Sequence, residues 1–369
     1  MKIAFDSQAF RMQRHGGISR YFVWLADNLH KLGADVRIVA PVHRNAHLAA
    51  APTVPHFGMQ LPVWMQSLRV EGGVNWLLES MALAVLRPDV FHATYYAETP
   101  RGRGTASVLT VHDMVHERFA DWHPGNPILA IKAAAVRRAD HVICISRATQ
   151  HDLCDMLDYP VERTSVVHHG GSQLSGKGAS PLPAGLRRPY ILFVGQRFRH
   201  KNFDVLLQAF GRSARIQRDH QLVAFGGTPF SDQEMALARG AGIAPDALVQ
   251  LAGDDEALAA AYFSAAAFVY PSLYEGFGMP LLEAMALGCP VVSSRTSCMP
   301  EIAGDAALYF DPGDADELVL QLERILDDQS LRQRLIASGF SRERKFSWQS
   351  CAKQTMAAYT LALGGVAAA

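Results

Sequence analysis

Tyr270-Pro-Ser-Leu-Tyr-Glu-Gly-Phe-Gly-Met-Pro-Leu-Leu-Glu-Ala-Met-Ala-Leu-Gly-Cys-Pro290 decides the fold. The apolar run Ala267 to Tyr270 leads into it as a strand, and a glycine-punctuated loop follows. A helix begins at or near Pro280, whose missing N–H costs nothing at a helix start. Gly276 and Gly278 let the backbone approach a ligand closely. The helix start adds free N–H groups and partial positive charge, a setting for phosphate. Glu275 and Glu283 stand at the two ends of that anion site and would repel phosphate, but they suit hydroxyl groups. An anion flanked by hydroxyl-rich parts describes a nucleotide sugar. The separation covers roughly 12 Å or somewhat more, room for one carboxylate at the sugar ring and the other at the ribose. Taken without its context, such a pair would more simply be two solvated acids in a loop and a first helical turn.

Working outward, short apolar β-rich runs alternate with amphipathic helical stretches, the pattern of parallel α/β units. Strands are expected at Lys2–Asp6, Asp35–Ala40, Val90–Ala93, Ser107–Val111, His141–Ile145 and Ser165–His168. A second series is expected at Tyr190–Gly195, Gln221–Phe225, Leu248–Leu251, Ala267–Tyr270 and Pro290–Ser293. Helical spacing of Ile18, Tyr21, Phe22, Leu25, Leu29 and Leu32, stopped by Gly33, predicts a helix over 18–32. Residues 170–185, dense in Gly, Ser and Pro and without periodicity, mark a break. The expected organisation is a first Rossmann-like domain over 1–175, a linker over 176–188 and a second Rossmann-like domain over 189–346. Residues 347–369 form a final helix, either packed back on the first domain or simply terminal. The 369-residue length agrees with two cores. Parallel sheets take ligands at the carboxyl ends of their strands, so the site is expected in a cleft faced by both domains.

The composition is that of a well-packed globular protein, 49% hydrophobic and 19% charged, with zero formal net charge and no basic run to hold nucleic acid. The five scattered cysteines lack a CxxC pair, which argues against structural zinc or disulfides and suits a reducing cytosol. The N-terminus reads as a strand without signal-peptide architecture. No apolar run reaches the ~18 residues that span a bilayer. A cytoplasmic protein is expected, with peripheral contact to the inner membrane left open. Three readings stand for Leu61–Leu86, rich in Trp64, Met65, Leu68, Trp76, Leu77 and Met81: a membrane-touching surface, an acceptor-binding wall, or a buried helix pair, the last slightly favoured.

Other stretches carry chemistry. Arg197, Arg199 and Lys201 follow a strand end, where fixed cations could stabilise a departing diphosphate without a metal. Gly16-Gly17 opens the first helix, a weak signal alone, and the absent GxGxxG counts against a dinucleotide oxidoreductase. His112 ends a strand. Its own surroundings leave it open to two roles: a satisfied structural histidine, or a metal ligand with His116, Asp113 and Glu117. Asp314-Ala-Asp316 imitates a metal-binding DxD, but Glu317 and the amphipathic run after it make it a helix N-cap with a capping-box acid.

Residues 270–290 closely resemble the signature of the retaining GT-B glycosyltransferases of group 1, family GT4, and the likeness runs over nearly the whole chain. Val194-Gly-Gln-Arg-Phe-Arg-His-Lys-Asn-Phe203, Gly226-Gly227, Asp140-His-Val-Ile-Cys-Ile-Ser-Arg147 and Pro300-Glu301 with Gly304-Asp305-Ala306-Ala307 are similar to further family elements. The resemblance implies an α/β GT-B fold, two Rossmann-like domains with parallel sheets facing across a cleft. It implies catalytic roles for Glu275, His112, Arg197 and Lys201, with Lys201 the better match and Arg199 the weaker candidate, and for His112 a third role beside the structural and metal ones, a hydrogen bond to the transferred sugar. Donor contacts would come from Gly16, Gly17, Arg197, Lys201, Gly227, Glu275, Gly276, Phe277, Gly278, Leu282 and Glu283.

The start Phe5-Asp-Ser-Gln-Ala-Phe10 with Gly16-Gly-Ile-Ser-Arg-Tyr-Phe22 and Lys201-Asn202 most resembles members that build bacterial surface polysaccharide. That likeness implies a metal-independent, retaining transfer of mannose or rhamnose, with no cofactor beyond the donor substrate. A GDP-sugar is favoured over a UDP-sugar, and a saccharide or polyprenyl-linked oligosaccharide is the expected acceptor in O-antigen or capsule synthesis. The alternatives are a UDP-sugar transferase with another acceptor, or a non-catalytic nucleotide-sugar-binding protein.

Overall fold

A computed structural model describes residues 1–51, 53–61, 71–99, 104–172, 174, 186 and 189–368. The chain divides into two compact units, Met1–Gly170 with Ser347–Ala369, and Gly171–Phe346. Apart from Leu186, the expected linker over 176–188 lies outside the described residues, as do Trp64, Met65 and Leu68.

The first unit carries a parallel sheet of β1 (Lys2–Phe5), β2 (Asp35–His43), β3 (His56–Gln60), β4 (Val90–Ala93), β5 (Ala106–Val111), β6 (His141–Cys144) and β7 (Thr164–Val166). Their order is β3-β2-β1-β4-β5-β6-β7. β5 and β6 are buried along their whole length, as strands covered on both faces must be. The Gly17–Lys31 helix buries Tyr21, Phe22, Leu25 and Leu29 at helical spacing, and Gly33 at φ +87° follows it. In the same core lie Cys351, Ala352, Ala358, Tyr359 and Ala362 of the last helix, Trp348–Ala368.

Two features of this unit depart from the expectations. Edge strand β3, which was not expected, is five residues long and has no buried residue. The Glu71–Leu86 helix is not part of a buried pair among the described residues. Leu83 packs on the core and Asn75 exchanges hydrogen bonds with the Val42 backbone, while Trp76, Leu77, Met81 and Val85 are exposed, Val85 by 82%. Among the described residues no helix is long and apolar enough to cross a membrane.

The second unit repeats the plan with β8 (Tyr190–Val194), β9 (Gln221–Phe225), β10 (Leu248–Leu251), β11 (Ala267–Tyr270), β12 (Val291–Ser294) and β13 (Ala307–Phe310). The order is β10-β9-β8-β11-β12-β13, all parallel. Its core gathers Phe193, Leu206, Phe210, Val269, Val292, Leu318 and Leu322. Asp314 caps the following helix by accepting from the N–H groups of Asp316 and Glu317, both at 2.9 Å. Glu317 does not complete a capping box. Its carboxylate accepts from Asp311 N instead and pairs with Arg295.

Each sheet reverses its strand order once, at β1/β4 and at β8/β11. At such switch points the loops leaving the carboxyl ends diverge and open a crevice for ligand.

Candidate active site

In the second unit the switch point is built from the loops after β8 and β11. The β8 loop runs through Gly195 into a short turn, Arg199–Lys201, and the β11 loop through Pro271 to Glu275. The N–H of Leu273 donates to His200 O at 2.8 Å and locks the two loops in register. Asn202, left-handed at φ +55°, donates from its amide to Pro271 O at 3.1 Å and to Pro312 O at 2.8 Å. These ties bring Lys201 and Glu275 together across 74 positions of sequence. Lys201 Nζ donates to Glu275 Oε1 at 2.6 Å and to Oε2 at 2.8 Å. Ser272 Oγ donates to the same Oε1 at 2.6 Å, and Ser297 Oγ holds the Glu275 carbonyl at 2.6 Å. The carboxylate is thus held by two side-chain donors, one of them a cation, and its main chain by a third.

Beyond Glu275, Gly278 takes φ +89° and caps the Met279–Ala286 helix, with Pro280 in its first turn. A side chain at Gly278 is strained: a Cβ would lie 3.0 Å from Leu281 Cδ1 and 3.4 Å from Tyr270 Cε1, in a backbone conformation that costs any other residue. Leu282 is buried on this helix, and Phe277 packs against Phe346 with ring centroids 5.8 Å apart. Glu283 lies on the same helix, partly buried, and accepts from Tyr262 OH at 3.1 Å.

Arg197 is placed differently from Lys201. Its Nε donates to Glu234 Oε1 at 2.5 Å, and its other nitrogens reach Gly226 O at 3.4 Å and Thr228 O at 2.5 Å. The guanidinium also lies over the Phe230 ring, 4.6 Å from its centroid. Its side chain is 4% exposed. Gly227, at φ +76°, passes close by: a Cβ there would be 3.0 Å from an Arg197 nitrogen. Arg197 therefore fastens the β9 loop, while Lys201 pairs with Glu275.

In the first unit His112 follows β5 and is 9% exposed. Burial pushes its imidazole down to about 4; Lys132 lowers it further and Asp113 opposes. The ring is therefore neutral at neutral pH and able to donate one hydrogen bond. Its Nε2 is buried without a hydrogen-bond partner among the described residues. Of the acids considered with it for a metal, Glu117 accepts from Lys132 Nζ at 2.8 Å through Oε2, and the Asp113 carboxylate accepts from Val115 N at 3.1 Å. Among the described residues no group of three or more His, Cys, Asp or Glu could hold a metal ion. Gly17 has open space around its α-carbon, whereas Gly16 is covered by Gln13. The Gln13 side chain accepts from Ser19 N at 3.2 Å, the capping contact that Gly16 cannot make.

Sequence reasoning missed the β1/β4 switch point. There the buried Asp6 accepts from Thr94 N at 3.0 Å, from Gln8 Nε2 at 2.7 Å and from Thr99 Oγ1 at 3.2 Å. Next to it Glu79 accepts from Ser7 N and Ser7 Oγ, both at 3.0 Å. Burial and the neighbouring Asp6 push Glu79 up to about 8, against the Ser7 hydrogen bonds and Arg11. A lone acid inside the apolar stretch 74–86 was the available signal. Ser272, Ser297 and Tyr262 gave none, since each is defined only by what it reaches.

The chain is similar to known proteins. Residues 15–170 match the family model described as Glycosyltransferase Family 4, and residues 180–342 match Glycosyl transferases group 1. The chain is 30% identical over 270 residues to an O-antigen chain mannosyltransferase B of Escherichia coli, covering 69% of this chain and 70% of that one. It is 34% identical over 236 residues to an MMP alpha-(1->4)-mannosyltransferase of Mycolicibacterium hassiacum, covering 63% of this chain and 56% of that one. Among solved structures, a sucrose-phosphate synthase from Thermosynechococcus elongatus matches with a TM-score of 0.74 at 21% identity, over 97% of this chain and 98% of that one, a likeness of fold. The protein belongs to the group 1 glycosyltransferases, family 4, and its two parallel-sheet α/β units are those of the GT-B fold.

Proposed function

We propose that the protein moves a hexose, mannose or rhamnose, from a GDP-sugar onto a polyprenyl-linked saccharide with retention of configuration, in surface-polysaccharide synthesis of the O-antigen or capsule kind. The observation that carries this reading is the Lys201–Glu275 pair at the β8/β11 switch point, just before the Met279–Ala286 helix. The mannosyltransferase names of two relatives support the choice of mannose.

In this reading Glu283 accepts from the ribose hydroxyls and Glu275 from those of the sugar. The diphosphate meets Lys201, the Gly276–Gly278 backbone and the helix start, whose partial positive charge suits it. Arg197 backs the site by holding the β9 loop. From the first unit, Gly16-Gly17 approaches the diphosphate and His112 donates to the transferred sugar. The anomeric C–O bond to phosphate breaks, and the acceptor oxygen attacks from the same face. The acceptor's proton passes to the departing phosphate oxygen, leaving GDP. Lys201 supplies the charge that GDP needs on departure, so the scheme requires no divalent ion.

A thermal-shift series with GDP-mannose, UDP-glucose, ADP-glucose and TDP-rhamnose, each with and without EDTA, tests the donor and the metal. GDP-mannose should stabilise the protein with EDTA present. Stabilisation by UDP-glucose alone would overturn the donor assignment, and dependence on a divalent ion would overturn the metal-free scheme. NMR of the product's anomeric carbon decides retention: an inverted linkage refutes it.

A further inference from the structure

We propose that Tyr21, His169 and Trp348 form an aromatic cage that positions His112, and that Trp348 is thereby a positioning residue for sugar transfer. The proposal rests on His112 meeting the transferred sugar.

Since Nε2 of His112 has no hydrogen-bond partner among the described residues, packing must set the direction of the ring. The His112 ring stands edge-on to Tyr21, centroids 5.2 Å apart at 87°, and near His169 at 5.9 Å. Tyr21 is itself held by His169 at 4.6 Å and by Trp348 at 5.8 Å. Trp348 closes the circuit, 6.1 Å from His169, and stacks on Trp24 at 6.2 Å and 28°. Edge-to-face and stacked rings at these spacings prefer particular angles, so each ring restricts the next.

The cage is anchored where the chain leaves and re-enters the first unit. Gly170 ends the first segment of that unit and Ser347 begins the second. A Cβ on Gly170 would lie 2.2 Å from Trp348 Cγ and 2.4 Å from Cδ1 and Cδ2, so the indole rests directly on the Gly170 backbone. Displacement at either crossing moves Trp348 against Tyr21, and Tyr21 against His112. The cage also keeps water from His112. The charged groups acting on that ring are Asp113, which favours its protonation, and Lys132, which opposes it; Tyr21, His92 and His169 adjoin it as neutral groups.

The test uses the full chain carrying Trp348→Ala, Trp348→Phe, Gly170→Ala or His112→Ala, with GDP-mannose as donor and histidine titrations followed by NMR. Trp348→Ala should lower kcat by ~10-fold to ~100-fold while leaving the donor KM within a few-fold, the pattern of a misdirected contact. The His112 titration should rise by ~1–2 pH units as water enters. Trp348→Phe should recover most of kcat, and Gly170→Ala, which evicts the indole, should reproduce the alanine variant. A lower melting temperature with unmoved kcat and unmoved His112 titration would make Trp348 a packing residue only and overturn the proposal. Should Trp348→Ala not fold, Trp348→Phe and Gly170→Ala decide by the same readouts. A fully active His112→Ala would remove the role given to His112. The titration, which needs no donor, would then show separately whether the cage exists.

Discussion

Replacing Lys201 by methionine strands the Glu275 carboxylate, and the cost follows from the geometry. The two charges approach to 2.6 Å, with side-chain exposures of 21% for Lys201 and 11% for Glu275. At that separation the Coulomb attraction is about 6 kcal/mol for an effective dielectric constant of about 20. Removing both groups from water offsets several kcal/mol of it, so the net coupling is ~1–3 kcal/mol. Lys201→Met leaves Glu275 with neutral side-chain donors, the Ser272 hydroxyl among them at 2.6 Å. The variant should lose roughly 3 kcal/mol of stability, a fall of about 6–12 °C in melting temperature. Adding Glu275→Gln removes the stranded charge and should restore at least about half of that loss. Turnover should behave otherwise: it falls ~100-fold to ~1000-fold in Lys201→Met and stays low in the double variant, because the departing phosphate still lacks its cation. Scanning calorimetry and initial rates with GDP-mannose on wild type, both single variants and the double variant complete the cycle. A double variant no more stable than Lys201→Met would refute the coupling. Recovery of turnover in it would refute the role given to Lys201.

Three further perturbations address other parts of the structure. Gly278→Ala puts a Cβ 3.0 Å from Leu281 Cδ1 at φ +89°, so it should lose ~1–2 kcal/mol from the backbone alone and weaken donor binding, measured by urea unfolding and calorimetric titration. Glu79, pushed up to about 8, holds its proton more tightly folded than unfolded. The stability it contributes is full below about 4.5 and disappears as pH rises through about 8. Glu79→Gln cannot ionise, so urea midpoints from pH 5.5 to 9 should move in its favour relative to wild type by ~1–3 kcal/mol; a pH-independent difference would show Glu79 ionised throughout. His92, lowered to about 3, and His43 and His112, lowered to about 4, are all depressed chiefly by burial. Their contribution is intact above the unfolded value of about 6.5 and is lost as pH falls toward 4, about 1 kcal/mol for each at pH 5.5. Denaturant unfolding at pH 7.5 and 5.5 checks this, and equal stabilities would refute it.

What the sequence disclosed divides along a physical line. Buried strands such as β8 and β11 print their environment as unbroken apolar runs, and the Gly17–Lys31 helix prints its buried stripe, so both are legible without a structure. Edge strand β3 contributes little to the core: Phe57 and Met59 alternate with non-apolar neighbours over five residues only, and both stay exposed. Side-chain partners obey a different rule, because they depend on which loops the strand order makes adjacent. Arg197 and Lys201 are neighbours in sequence and equal as cations, yet one is spent on Glu234 and the other faces Glu275. Nothing local distinguishes them. The difference arises because β8 lies between β9 and β11 in the sheet, so its carboxyl-end loop can reach to either side. Arg197 turns toward the β9 loop and Lys201 toward the β11 loop. The same holds for Asp6 and Glu79, two acids brought to one buried corner by β1 and the Glu71–Leu86 helix. An acid in an apolar run can be recognised from sequence as needing a donor, but the donor's identity follows from topology alone.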